Sequence, residues 1–415
     1  MAKDVNAPRG MRDFLPADKA KRERILGVIK DVYRAHGFQE IETPALENLD
    51  RLTSGQGGDN EKLAFRVMKR GAELDSALAG ATNDAGESSA ADNLADLGLR
   101  FDLTVPLTRF YATNRNELPA VFKAIQAAPV WRAERPQKGR YRQFVQCDLD
   151  IIGDGSALAE IELLTASLAA LNALGLGHAV IRVNHRELLA SLLDELGVAV
   201  ADRGAAMIII DKLDKIAADG VAAELRTAFG DAVADRAAVW LANIDASNVP
   251  QILQPLFAAV GSEQLRFDPT LVRGMGYYTG AIFEIEHAGS GSAIGGGGRY
   301  DGMVGRWLGT DVPAVGISIG FERIVDLVDV ESNHSGRAVI LVLESNEPGV
   351  VQNALAIQRD LIAQGAVARL EQAPKRLNLL LDSLAASGFT HFGRVTLDTV
   401  NAAAIELKSL VGPSN

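Results

Sequence analysis

Three short stretches of this chain alternate, residue by residue, between apolar side chains and polar or very small ones. That pattern constrains the fold more than any other feature. In residues 99–105, Leu99, Phe101 and Leu103 oppose Arg100, Asp102 and Thr104. In residues 145–151, Val145, Cys147, Leu149 and Ile151 oppose Gln146, Asp148 and Asp150. In residues 314–320, Val315, Ile317 and Ile319 oppose Ala314, Gly316, Ser318 and Gly320. Successive side chains of a β-strand point to opposite faces, so each stretch predicts a strand with one apolar and one polar or bare face. Polar faces that merely meet water more often carry Thr, Lys and Glu than Gly-Ser-Gly. Together the stretches predict a sheet with one side on a core and the other forming a ligand floor. Carboxylates and an amide on that floor suit a cationic amine, and glycine and serine leave room for a flat ligand.

The chain has 415 residues, which predicts two or three domains. No run approaches the length of apolar residues needed to span a membrane, and none is expected to. The N-terminal Met-Ala-Lys-Asp lacks the apolar core of a signal peptide, and Cys147 is the only cysteine, so a cytoplasmic protein without disulfides is expected. A net charge of -11 argues against indiscriminate binding to a polyanion. A local basic cluster stands out at residues 132–142, where Arg132, Arg135, Lys138, Arg140 and Arg142 face one acid, Glu134.

Helical spacing of Ile25, Val28, Ile29, Val32 and Tyr33 predicts a helix over 17–35, stopped by Gly37. A strand at 39–43 ends at Pro44. Residues 77–96, rich in Ala, Ser, Asn, Asp and Gly, predict a mobile surface loop. Residues 184–267 carry helical periodicity and read as an inserted helical domain. Residues 329–336 suit a linker. Beyond it, strands at 338–343, 367–370 and 403–407 alternate with helices at 349–364 and 375–387, predicting a small α/β domain.

Arginines cluster around the floor. Arg132 and Arg140 flank a turn containing Pro136 and Gly139, Arg273 precedes Gly274, and Arg323 follows the small-residue strand. Guanidinium groups grip phosphate and carboxylate through paired donors. No G-x-x-x-x-G-K-[ST] string is present, so a P-loop is not indicated. Residues 295–298 are four glycines, read either as a flexible loop or as a wall admitting substrate close to backbone. Gly316-Ile-Ser-Ile-Gly320 matches G-x-S-x-G formally, but a nucleophile elbow needs a sharp turn, and the alternation here predicts a continuous strand. Scattered histidines and a lone cysteine argue against zinc.

These residues resemble the histidyl-tRNA synthetase family. The string PRGMRDFLP at residues 8–16 is similar to its N-terminal signature, and the helix, strand and Pro44 resemble class II motif 1, which builds a dimer interface. Residues 131–144, WRAERPQKGRYRQF, are similar to motif 2, and residues 316–324 resemble motif 3. Residues 271–280 and 297–301 resemble the two histidine-specific motifs. The resemblance implies an α+β fold, with an antiparallel class II sheet flanked by helices, a helical insertion and a C-terminal α/β domain like those that bind anticodons. It divides the chain into a catalytic domain (1–183), the insertion (184–267), the rest of the catalytic domain (268–328), a linker (329–336) and the C-terminal domain (337–415).

It also implies roles. Arg132 would hold the ATP α-phosphate, with Glu134 near the adenine, and Arg140 and Arg323 would grip the β- and γ-phosphates, normally with magnesium. Ser318 and Gly320 of motif 3 would line the ATP site. Asp102, Thr104 and Gln146 would hold the α-ammonium group of histidine, Asp150 and Tyr278 would read the imidazole, and Tyr277 would line that pocket. Arg273 would bind the carboxylate as it attacks phosphorus; Arg273, Arg132 and Arg323 are thus the catalytic candidates. The implied partners are histidine, ATP with Mg²⁺, tRNA(His) and a second copy of the chain, with no tightly bound organic cofactor, no protein metal ligands and no membrane. Ala133 stands where motif 2 usually has a polar residue, Asp102 and Asp150 where many members have glutamate, and Met275-Gly276 where Leu-Asp is commoner. Residues 389–399 match only loosely. The competing functions are a regulatory subunit of ATP phosphoribosyltransferase built on the same fold, a histidine-activating enzyme with another acceptor, and a noncatalytic RNA-binding module.

Overall fold

The computed structural model describes residues 5–53, 63–81, 94–136, 139–273, 277–329 and 337–410. Two compact units form, Met1–Asp13 with Ile25–Val328, and Phe14–Arg24 with Asp329–Asn415. The first helix, α1 (Pro16–Ala35), contributes to both. It stops where predicted, at Gly37, whose φ of +83° favours glycine.

In the first unit α1 is followed by β1 (Gln39–Glu40), β2 (Leu46–Asn48), α2 (Leu49–Leu52), β3 (Phe65–Met68), α3 (Ala72–Ala81) and β4 (Ala95–Leu99). Then come α4 (Thr104–Asn114), β5 (Phe122–Trp131), β6 (Gln143–Ile152), α5 (Ala157–Ala173) and β7 (Val180–His185). Helices α6 (Arg186–Glu195), α7 (Arg203–Ile210), α8 (Leu213–Phe229), α9 (Asp231–Ala242) and α10 (Gln254–Val260) lead to β8 (Leu265–Phe267). The unit ends with β9 (Ala281–Glu286), β10 (Gly295–Arg299), α11 (Asp301–Leu308), β11 (Ala314–Ile319) and α12 (Phe321–Leu327).

Eight strands form one sheet in the order β1-β5-β6-β11-β10-β9-β7-β8. The six inner strands pair antiparallel, and the short edges β1 and β8 pair parallel to their neighbours. The alternation read from the sequence explains the faces of β6. Cys147, Leu149 and Ile151 are wholly buried in the core, and α5 packs against β6 and β11. The helices after β7 share their apolar core with the sheet, since Leu189, Val221 and Leu225 cluster with Leu271, Val272 and Ile282 of the β8–β9 region.

Three expectations need correction. Residues 99–105 are not a strand, because β4 ends at Leu99 and α4 begins at Thr104. Both Phe101 and Leu103 still reach the core, while Arg100 is pinned to the Thr43 carbonyl at 2.6 Å and Asp102 accepts the Val105 N–H at 3.1 Å. Alternation here reflects a helix entry capped by a carboxylate, which a period-two pattern also permits. The predicted loop at 77–96 is partly ordered: its alanines extend α3 to Ala81 and its end enters β4, in keeping with the high helix propensity of alanine. Residues 82–93 of that loop, Lys138, Met275-Gly276 and residues 330–336 of the linker lie outside the described residues. Of the two readings of residues 295–298, the loop falls away, since they form β10 within the sheet.

The second unit carries β12 (Ala338–Leu343), α13 (Pro348–Ala363), β13 (Val367–Gln372), α14 (Leu377–Ala386), β14 (His391–Val395) and β15 (Lys408–Ser409). Its sheet order is β13-β12-β14-β15, with β12 parallel to both neighbours. The unbroken apolar run of β12 is what a strand covered on both faces requires: Val339 and Leu341 meet α13, Ile340 and Val342 meet α14. The strand predicted at 403–407 is instead a turn, in which Asn401 Oδ1 accepts the N–H groups of Ala403 and Ala404. Among the described residues no helix is long and apolar enough to cross a membrane.

Gly297 tests the packing of β10. A Cβ there would lie 1.9 Å from the Gly316 carbonyl oxygen and 2.6 Å from Ile317 Cα, both backbone atoms. Gly297→Ala is therefore expected to destabilise the first unit by about 3 kcal/mol in denaturant unfolding. Gly302→Ala, with nothing within 4 Å of its Cβ, should lie within about 1 kcal/mol of the parent.

Candidate active site

A cavity of about 470 Å³ opens on the polar face of the sheet. All of the candidate residues line it, although they come from distant parts of the chain. Asp102 and Thr104 stand at the entry to α4, and Gln146 and Asp150 on β6. Arg132, Glu134 and Arg140 lie in the β5–β6 connection, Arg273, Tyr277 and Tyr278 before β9. Ser318 is the penultimate residue of β11, Gly320 caps α12, and Arg323 is in its first turn. Ser318 is still paired within the sheet, with Gly296 on one side and Asp148 on the other, so it does not sit on the sharp turn that a nucleophile elbow needs.

One end of the cavity is acidic. Asp102, Asp148 and Asp150 are each at most 4% exposed. Tyr300 Oη donates to Asp150 Oδ1 at 2.6 Å, while Asp150 Oδ2 is buried without a partner among the described residues. Burial, reinforced by the charge of Asp102, pushes the Asp150 carboxyl up to about 7 against the pull of the Tyr300 hydrogen bond. Burial and then Asp150 itself hold Asp148 well above the usual carboxylate range. Gly316 faces Asp150 across the β6–β11 register, and a Cβ there would fall 1.9 Å from Asp150 Oδ1. The bare strand thus makes room for the carboxylate. Tyr277 packs against Tyr278 with ring centroids 4.6 Å apart and meets Tyr300 edge-on at 6.4 Å. Burial raises all three phenols, so they remain neutral hydrogen-bonding groups.

The other end is basic. Burial, and then repulsion from Arg140 and Arg273 partly offset by Glu284, lower the pKa of Arg323. Such mutual repulsion marks a place suited to a polyanion. Arg323 donates to the Ala293 carbonyl. Arg132 donates to the Phe101 carbonyl at 3.0 Å and lies over the Phe144 ring at 5.0 Å. Arg140 is 3.7 Å from Glu134. Arg273 Nη1 donates to Glu284 Oε2 at 3.2 Å and to the Phe283 and Gly295 carbonyls at 3.3 Å each. It lies so close to β10 that a Cβ on Gly296 would be 1.9 Å from Nη1.

Sequence reasoning left several of these participants out of the site. Tyr300 is the phenol bonded to Asp150, and its signal was the glycine-rich string that precedes it. Asp148 shares the alternating face of Gln146 and Asp150. Glu322 accepts from Arg12 at 2.5 Å and from the Val145 N–H at 3.1 Å, joining the N-terminal signature to motif 3. No local pattern could reveal that pairing. Among the described residues no group of three or more His, Cys, Asp or Glu could hold a metal ion.

A largely antiparallel sheet flanked by helices is the class II synthetase arrangement that the resemblance implied. The comparisons agree. The family model for histidyl-tRNA synthetase matches residues 10–74 and 74–324. The histidine–tRNA ligase of Leifsonia xyli subsp. xyli (strain CTCB07) is 52% identical, with 99% of each chain covered. The crystal structure of histidyl-tRNA synthetase from Nostoc sp. PCC 7120 matches with a TM-score of 0.77 at 25% identity, covering 98% of this chain and 95% of that one. A structure described as an ATP phosphoribosyltransferase regulatory subunit/histidyl-tRNA synthetase from Bacillus halodurans C shares the fold, with a TM-score of 0.71 at 21% identity and coverage of 92% and 96%. The chain belongs to the histidyl-tRNA synthetase family.

The raised Asp150 carboxyl sets a pH dependence. The folded protein holds this proton more tightly than the unfolded chain does, so the stability it contributes is full below about pH 4 and is lost as pH rises through about 7. Asp150→Asn removes that loss. Without ligand, the variant should gain on the parent as pH goes from 5 to 8, by on the order of 3 kcal/mol at most, seen as a growing gap in Tm.

Proposed function

We propose that this enzyme is a histidine–tRNA ligase whose amino-acid pocket is the acidic end of the cavity and whose nucleotide pocket is the basic end. The observation that carries the reading is the gathering of Asp102, Gln146 and Asp150 with Arg132, Arg140, Arg273 and Arg323 in one cleft. Histidine offers an ammonium group and an imidazole N–H to the first set, and ATP a polyphosphate to the second. Asp150 Oδ2, buried and unpaired among the described residues, suits the imidazole N–H. A smaller apolar amino acid would leave that oxygen unsatisfied, which is the strongest form of discrimination a pocket of this kind has.

The reaction needs no protein nucleophile. A carboxylate oxygen of histidine attacks the α-phosphorus of ATP, the bond to the bridging oxygen breaks, and pyrophosphate leaves with its electron pair. A terminal ribose hydroxyl of tRNA then attacks the carbonyl carbon of the adenylate, loses its proton and releases AMP. Positioning and electrostatic stabilisation supply the acceleration. In this reading Arg273 turns from Glu284 and the β10 carbonyls to the carboxylate and α-phosphate, beside Arg132. Arg140 and Arg323 hold the outer phosphates, Glu134 faces the adenine, and Ser318 and Gly320 form the floor between the two ends. Asp102, Thr104 and Gln146 receive the α-ammonium, and Tyr277 and Tyr278 wall the imidazole pocket. Mg²⁺ enters with the triphosphate as part of the substrate. The proposal extends to a homodimer through motif 1, to anticodon binding by the C-terminal unit, and to a cytoplasmic setting that suits a buried free Cys147.

Histidine-dependent exchange of pyrophosphate into ATP, followed by charging of a tRNA(His) transcript, tests the reading. Arg273→Ala should lower kcat for exchange by about 10²-fold or more with a smaller change in KM for histidine. Asp150→Asn should chiefly raise KM for histidine, by about tenfold or more. Full exchange by the Arg273 variant would contradict the role given to that arginine.

A further inference from the structure

The hydroxyl of Ser318 stands between two side chains of β6. It donates to Asp148 Oδ1 at 2.5 Å and accepts from Gln146 Nε2 at 3.4 Å. A serine hydroxyl has a single proton. With that proton committed to Asp148, Ser318 can only accept from Gln146, so the amide must turn its nitrogen toward the serine. A flipped amide would set two oxygens against each other with no hydrogen between them. Gln146 Oε1 is therefore left on the cavity side, buried and with no partner among the described residues. The relay is well anchored: Ser318 and Asp148 face each other directly in the β6–β11 register, and Asp148 is only 4% exposed. Asp148 accepts through Oδ1 whether or not its other oxygen carries a proton.

We propose that Ser318 and Asp148 are positioning residues that lock the Gln146 amide with its oxygen toward the substrate's α-ammonium group, making this corner of the pocket selective for a protonated amine. The proposal rests on the histidine-activating reading above and deepens it. It moves Ser318 from the nucleotide to the amino-acid side of the floor. Its consequence is selective. Loss of the serine hydroxyl frees the amide to flip and present its N–H₂ to the ammonium, while leaving the imidazole pocket and the arginines as they were.

The test is steady-state pyrophosphate exchange with Ser318→Ala, Ser318→Thr and Asp148→Asn in the full chain. Ser318→Ala should raise KM for histidine about tenfold, with kcat and KM for ATP within about twofold of the parent. Ser318→Thr, which keeps the hydroxyl, should restore KM. Asp148→Asn, whose amide oxygen still accepts the serine proton, should stay within about threefold. Inhibition by 3-(imidazol-4-yl)propionate, which lacks the amine, should be unchanged in Ser318→Ala. A parent that exchanges with histidine while Ser318→Ala keeps its KM overturns the proposal and leaves the ligase reading standing. Equal weakening of the amine-free inhibitor also overturns it, because that is the mark of a general structural loss. A loss in Asp148→Asn as large as in Ser318→Ala overturns the part given to Asp148. A folded parent with no histidine-dependent exchange overturns both the proposal and the reading beneath it.

Discussion

The structure is organised around carboxylates held out of water on β6. Asp148 and Asp150 lie two residues apart on one face of a buried strand, with Asp102 close enough to raise the Asp150 carboxyl. Burying negative charge without a partner is costly, and burial raises the Asp148 and Asp150 carboxyls accordingly. On the proposed reading the acidic end is a latent cation site. A ligand bringing an ammonium and an imidazole N–H supplies the partners that the protein withholds. The rest of the sheet follows from this demand. Gly316 is bare because Asp150 lies over it, and Gly298 is bare because Tyr278 does.

The arginines at the other end obey the opposite logic. Burial first, and then repulsion from Arg140 and Arg273, lower the pKa of Arg323. Each is parked on carbonyls or a nearby carboxylate, such as Glu284 for Arg273, with contacts a substrate's phosphates can replace. The two ends share β10 and β11 as a floor. A reaction that joins a carboxylate to a phosphate needs its cationic amine held at one end and its polyphosphate at the other, and the sheet supplies that separation within one cavity.

Much of this was legible in the residues. The period-two strings of β6 and β11 gave both strands and the correct polar faces, because a two-faced strand in a sheet has few other ways to satisfy its side chains. The candidate residues, scattered from Asp102 to Arg323, gather in one cavity. The string at 99–105 misled because Phe101 and Leu103 enter the core from a helix cap, where the same alternation serves another geometry. The glycines at 295–298 left two readings open because glycine carries no facial preference; only their neighbours, Gly316 on one side and Ala281 on the other, show a strand. The bond between Arg12 and Glu322 spans 310 positions and leaves no local trace. The C-terminal strand β14 was missed because its residues, His391 to Val395, alternate weakly beside a parallel strand that is apolar on both faces.

The central claim is that the acidic pocket recognises histidine by charge and hydrogen bonding, not by size alone. The most direct measurement is ATP–pyrophosphate exchange by the parent protein with each of the twenty standard amino acids supplied separately at equal concentration. The account predicts exchange with histidine alone, exceeding every other amino acid by about 10³-fold or more. Comparable exchange with lysine, arginine or an apolar amino acid, or none with any of the twenty from a folded sample, would contradict it.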